Sequence, residues 1–239
     1  MLTERNLPAT IPQAKPLSKG EVLGCTAPSG LASSSSSDVM LFVADGRFHL
    51  EAAMMANPTL KAYRYDPYSK TLTEEQYDHE QMRQLRKQEV QKTASSATTI
   101  GIILGTLGRQ GNPGILSTLR TLLQKHNKRY FVLLLSEIFP KKLQLFENDV
   151  DAWVQVACPR LSIDWGHAFS KPLLNSFELH IALGEADYPE TSSYPMDYYK
   201  INSGPWTNYH DNNRSRKLKY DNDDVEESKS SSKATTSIQ

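Results

Sequence analysis

Two cysteines, one glycine-rich turn and one Asp–Arg–His cluster are the places where this sequence could do chemistry. Cys25 sits in LGCTAP (23–28), between a glycine and a polar turn suited to exposing its sulfur. Cys158 sits in VACPRLSIDWG (156–166), at the end of a strand-like run and directly before Pro159. A thiol at either place could serve as a ligand or nucleophile, or could be a small buried hydrophobe, the common fate of an isolated cysteine. The two lie far apart in the chain, so there is no CxxC-type local metal motif; a joint site requires two parts of the fold to face each other. LGTLGRQGN (104–112) brings Gly105, Gly108 and Gly111 for a tight backbone turn, with Arg109 and Gln110 as donors. It is neither a GK[ST] phosphate loop nor a GxGxxG fingerprint. It reads either as an anion-gripping loop at a helix start or as an ordinary turn between strand and helix. ADGRFHLE (44–51) places Asp45, Arg47 and His49 after a strand end. With no partner carboxylate and no metal-ligand spacing, that cluster reads as a helix cap by Asp45 with Arg47 and His49 in solvent.

The elements that must position these residues alternate. VMLFVADG (39–46) has the continuous apolar run of a buried parallel strand. Residues 47–57 place Phe48, Ala52, Met55 and Ala56 at helical spacing, and KAYRYD (61–66) alternates as a strand. Residues 72–97 read as one long polar helix, acidic early and basic late in keeping with the helix dipole, with a thin apolar stripe (Met82, Leu85, Val90). That composition predicts a largely exposed helix linking two lobes. A second series follows: strand 99–106, helix 112–127, strand 130–137, short helix 140–148, strand 152–158 and helix 176–185. The expected fold is α/β: two successive lobes, each with a mainly parallel sheet flanked by helices. The expected organisation is an extended N-terminal segment (1–20), a first lobe with its linking helix (21–97), a second α/β lobe (98–206) and a disordered C-terminal tail (207–239). SGLASSSSSD (29–38) reads as a loop unable to bury itself. The aromatic–proline stretches YPMDYY (194–199) and GPWTNY (204–209) read as a strap packed on the body.

Composition limits the partners. Lys plus Arg is 27 and Asp plus Glu is 27 in 239 residues, a zero net charge that argues against a direct nucleic-acid binder. Mean hydropathy is −0.52, with no apolar run near the ~18 residues of a membrane span and no signal-peptide core at MLTERNLPAT. The expected setting is cytoplasmic, with reduced thiols.

LGCTAP, ADGRFHLE, AYRYDPYSK, GTLGRQGNP, LLLSEIFP, VQVACPRLSIDWG and YPMDYY…GPWT together resemble the catalytic subunits of the eukaryotic diphthamide synthase family, the 2-(3-amino-3-carboxypropyl)histidine synthases, from about Gln13 to Trp206. The resemblance implies three similar α/β lobes, each giving one cysteine to a central [4Fe-4S] cluster whose fourth iron is open to S-adenosylmethionine. It implies radical-type transfer of a 3-amino-3-carboxypropyl group to one histidine of translation elongation factor 2. A paralogous synthase subunit 2 is the implied heterodimer partner, and a small iron protein the implied electron donor. By motif, Cys25 matches the middle-lobe ligand and Cys158 the last-lobe ligand, in line with thiolates being the usual ligands of iron–sulfur clusters. Gly105, Arg109 and Gln110 become candidates for holding the methionine part of the cofactor. The departure is the third ligand: the chain has two cysteines, and the family's first lobe is expected upstream of the matching segment. The expectation is a truncated member, either a catalytic subunit or a non-catalytic protein that only binds the paralogous subunit. A generic nucleotide binder using the 104–112 loop is a third reading.

Overall fold

A computed structural model describes residues 9–34, 39–107, 110–200, 203–208 and 210. After an extended stretch and the single turn α1 (Leu31–Ser34), β1 (Val39–Val43) pairs in parallel with β2 (Lys61–Asp66) through the connecting helix α2 (Phe48–Ala56). The Asp66 carboxylate then accepts the N–H groups of Tyr68 and Ser69, closing a turn that sends β3 (Thr71–Glu75) back antiparallel to β2. Among the described residues, only one face of this three-stranded sheet is covered. Met40 and Phe42 pack with Leu50 and Met54 of α2, whereas Val39, Leu41 and Val43 are 49%, 49% and 62% exposed. The apolar run of β1 therefore does not mark a strand buried on both faces, contrary to expectation, because a helix lies on one side only.

The long helix expected over 72–97 is also divided. Residues 71–75 are β3, and α3 (His79–Ser96) starts only where the Asp78 side chain accepts the Gln81 N–H. Pairing with β2 overrides helical propensity here, helped by Glu75, which takes the Arg64 guanidinium at 3.0 Å. More than half of the residues of α3 are exposed, as expected of a linking helix, and Leu85 of the expected apolar stripe is among them. Met82, Arg86, Val90 and Thr93 form a buried stripe at helical spacing, and α3 packs on the last helix.

The second sheet is parallel throughout: β4 (Thr99–Gly105), β5 (Arg129–Leu135), β6 (Ala152–Val156) and β7 (Leu173–Asn175), in spatial order β5-β4-β6-β7. The connections carry α4 (Pro113–Lys125), α5 (Pro140–Gln144), α6 (Pro159–Trp165) and, after β7, α7 (Ser176–Ala182). Neither α6 nor β7 stands out in the sequence: each is short and lies within a polar, proline-containing stretch. α4 begins at the Asn112 cap with Pro113 in its first turn, and its stripe Ile115, Leu119, Leu122 and Leu123 is buried. One face of the sheet meets this stripe and Leu179; the other packs Ile103, Trp153 and Leu173 against Leu143 and Phe169.

A third core joins the two sheets. Ala52 and Met55 of α2, Met82 of α3, Ile163 of α6 and Phe177 of α7 close on Tyr194 and Met196. The aromatic–proline segment is thus a strap, as its composition suggests, and Trp206 lies 4.7 Å from Phe177, ring to ring. Thr207 is fully buried and the Asn208 N–H reaches the Tyr198 carbonyl at 2.7 Å, so the strap runs past the expected boundary at 207. The rest of the expected tail, from 211 on, lies outside the described residues, as do 35–38 of the serine-rich stretch.

Candidate thiol site

In an open parallel sheet, ligands gather at the carboxyl ends of the strands where the chain order reverses. That point falls here between β4 and β6, since from β4 the chain steps outward to β5 and then returns to the other side at β6. The loop after β4 is the glycine-rich turn, and the loop after β6 carries Cys158. The two strand ends touch closely. A Cβ on Gly105 would stand 2.7 Å from the Ala157 Cβ, and one on Gly111 would stand 2.0 Å from the Gly105 carbonyl oxygen. Both glycines are therefore needed for the turn to fold back on itself.

Cys158 is the residue immediately before α6, and it is half-buried. Burial raises its pKa; the N–H groups of Arg160 and Leu161 at the start of the helix draw it part of the way back, although neither makes a regular capping bond. Cys25 is half-buried as well, with its sulfur 3.8 Å from the Thr26 hydroxyl. Its pKa is pushed up to about 11, chiefly by burial, with the Thr26 contact opposing and the charges of Cys158 and Asp197 adding to the rise. Each structural unit thus contributes one thiol.

The Cys25 loop is tied at several points. The Thr26 hydroxyl donates to Asp197 of the strap at 2.9 Å. At the end of α2 the Asn57 amide donates to the Pro28 carbonyl at 2.7 Å, and its oxygen accepts the Leu31 N–H at 3.0 Å. Arg160, 3% exposed, reaches back from α6 to the Gly24 carbonyl at 3.3 Å. Thr26, Asn57, Arg160 and Asp197 are not singled out by sequence reasoning. The one available signal is the i,i+4 pairing of Arg160 with Asp164 within ACPRLSID, a spacing suited to an intrahelical ion pair.

The other candidates fare differently. Gln110 is exposed beside the glycine turn, and Arg109 lies outside the described residues. The expected free N–H groups at the start of α4 are already engaged: Gly114 and Ile115 donate to the Asn112 side chain at 2.7 and 3.2 Å. An anion there would have to displace that cap. Asp45 does not cap α2, whose preceding residue is Arg47 with no side-chain cap. Arg47 instead pairs with Glu51 and Glu75 at 3.3 and 3.0 Å, and His49 is exposed.

Thiolates are the usual donors to iron–sulfur clusters, and Cys25 and Cys158 fit as two donors of such a set. No group of three His, Cys, Asp or Glu side chains that could hold a metal occurs among the described residues, so these residues do not complete the set. Fold and site together define a class: an α/β protein with one half-buried thiol at the topological switch point of its parallel sheet and a second in a loop tied to the helix that follows the first.

The profile of the diphthamide synthesis protein family matches residues 1–195. The chain is 52% identical over 204 residues to the 2-(3-amino-3-carboxypropyl)histidine synthase subunit 1 of Dictyostelium discoideum, covering 83% of this chain and 42% of that protein. It is 53% identical over 206 residues to the Homo sapiens protein of the same name, covering 86% and 45%. Among solved structures it resembles Dph2 from Pyrococcus horikoshii with a 4Fe-4S cluster, at a TM-score of 0.63 and 25% identity over 82% of this chain and 54% of that one. The chain belongs to the diphthamide synthesis protein family. It spans less than half the length of the two curated relatives. Among the described residues, no helix is long and apolar enough to cross a membrane.

Proposed function

We propose that this chain supplies two thiolate ligands, Cys25 and Cys158, to a [4Fe-4S] cluster in a diphthamide-forming 3-amino-3-carboxypropyl transferase. The reaction in this reading moves that group from S-adenosylmethionine to a histidine of translation elongation factor 2. The observation that carries it is that the loop holding Cys25 is bound to the helix that follows Cys158, where Arg160 donates to the Gly24 carbonyl at 3.3 Å, in a chain whose family includes proteins named for this synthesis. What a cluster contributes when bound is one-electron reduction of the sulfonium.

The remaining roles fall to the chain's own residues. Cys25 and Cys158 must each lose a proton to act as ligands, and burial keeps those protons on when nothing is bound. The turn at Gly105 and Gly111 brings backbone within reach of the Cys158 loop, packed so closely that neither position has space for a Cβ. Gln110, and Arg109 by motif, are the side chains proposed to orient the methionine part of S-adenosylmethionine. Asp197 and Thr26 hold the Cys25 loop to the strap. The implied partners are the paralogous synthase subunit 2, an electron-donating small iron protein and the elongation factor, in a cytoplasmic setting.

A second reading, a non-catalytic member that only binds the paralogous subunit, is favoured by one observation: the described donor set stops at two thiols. A transfer assay separates them. The chain is incubated anaerobically with the paralogous subunit, a reductant, S-adenosylmethionine and elongation factor 2, and the factor's histidine is examined by mass spectrometry. Modification that disappears in Cys158→Ala supports the transferase. Co-purification with the paralogue without modification supports the binding protein.

A further inference from the structure

Arg160 ties the helix that follows Cys158 to the unit that holds Cys25. Its guanidinium is 3% exposed and meets acceptors from both structural units. On its own helix, Nε contacts both oxygens of Asp164 at 3.0 and 2.9 Å. On the other unit, one terminal nitrogen donates to the Phe48 carbonyl at 2.9 Å and to the Gly24 carbonyl at 3.3 Å, and the other donates to Glu51 at 2.6 Å. The guanidinium carbon also lies 4.4 Å from the centre of the Phe48 ring. That ring in turn presses on Gly24, where a Cβ would come within 2.1 Å of it. Gly24 directly precedes Cys25, and Arg160 is two residues after Cys158. A planar fork of five donors can satisfy this set of acceptors; a lysine ammonium cannot.

We infer that Arg160 is a positioning residue that fixes the Cys25 loop against the Cys158 helix and so sets the relation of the two thiols. The inference rests on the reading of those thiols as a joint donor pair. Removing the fork would free the Gly24–Cys25 backbone while leaving both sheets and the shared apolar core in place, because none of the strand ladders passes through Arg160.

The test is bridging of the two thiols by dibromobimane, in which each thiolate displaces one bromide, with mass spectrometry separating the bridged product from double mono-adducts. Circular dichroism at the same temperature confirms the fold. The intact chain is expected to give mainly the bridged product, and Arg160→Lys to lower the ratio of bridged to mono-alkylated chain about tenfold, the scale of losing a charge-assisted contact. Asp164→Asn disturbs only the contact within α6 and is expected to bridge as the parent does. Equal bridging in Arg160→Lys and the parent overturns the inference. So does an equal loss in Asp164→Asn, which would mean that bridging merely follows stability. If Arg160→Lys does not fold, Glu51→Gln weakens one contact between the units and is expected to lower bridging partway; no change there overturns the inference. Absence of bridging in the parent chain itself overturns the donor-pair reading, and this inference with it.

Discussion

Cys25 is a cysteine whose surroundings oppose ionisation. Burial is the main cause, and the neighbouring charges of Cys158 and Asp197 add to it, so its pKa stands near about 11 where an ordinary cysteine would ionise near 9.0. At about pH 8.5 the thiolate fraction, and with it alkylation, is then lower by roughly tenfold to a hundredfold. We expect iodoacetamide to label Cys25 that much more slowly in the folded chain than in denaturant, with the rate climbing as pH rises towards 11. Equal rates in both states would remove the burial argument. The sequence makes both cysteines legible as the chemical candidates, because their flanking glycine and proline mark turns. It does not make Arg160 legible. An arginine in a polar helix reads as solvated, and its acceptors at Gly24, Phe48 and Glu51 lie more than a hundred residues away. The same holds for Asp197, whose carboxyl is raised by burial and faces Thr26 across the fold.

At the scale of elements, periodicity identifies β4, β5 and β6 of the second sheet but not β7, since those three are mainly apolar and α4 carries a clean stripe with a cap and a proline. It fails at α3, where the buried stripe contains a charge. Arg86 is 1% exposed and holds Glu178 of α7 through two contacts of 2.7 Å, while also donating to the carbonyls of Ser162 and Leu173. Sequence periodicity counts Arg86 as a polar position, so the buried stripe by which this linking helix joins the units is not legible. Tyr194 of the strap donates to the same carboxylate, and Glu178 also completes the capping box of α7. Arg86→Met should leave that carboxylate buried without its cation, costing about 3–5 kcal/mol in denaturant unfolding. A loss below about 1 kcal/mol would show that the pair is not buried as described.

At the scale of the whole molecule, the two sheets act as one body through the core of Ala52, Met55, Met82, Ile163, Phe177, Tyr194 and Met196, and the strap closes over it. In the proposed reading, this docking is what would let a thiol from one unit and a thiol from the other serve one site. The alternating pattern of strands and helices announces two α/β units, but the way they dock is carried by side chains scattered over the chain, which no local period reveals. The central claim is that Cys25 and Cys158 are joint ligands. The most direct measurement is anaerobic reconstitution with iron and sulfide, followed by iron counting and electron paramagnetic resonance after reduction, on the chain together with the paralogous subunit. Comparison is with Cys25→Ala and Cys158→Ala, prepared identically. The account predicts a reducible cluster signal whose iron content falls in each variant while the circular dichroism spectrum is retained. A signal and iron content unchanged in both variants would contradict it.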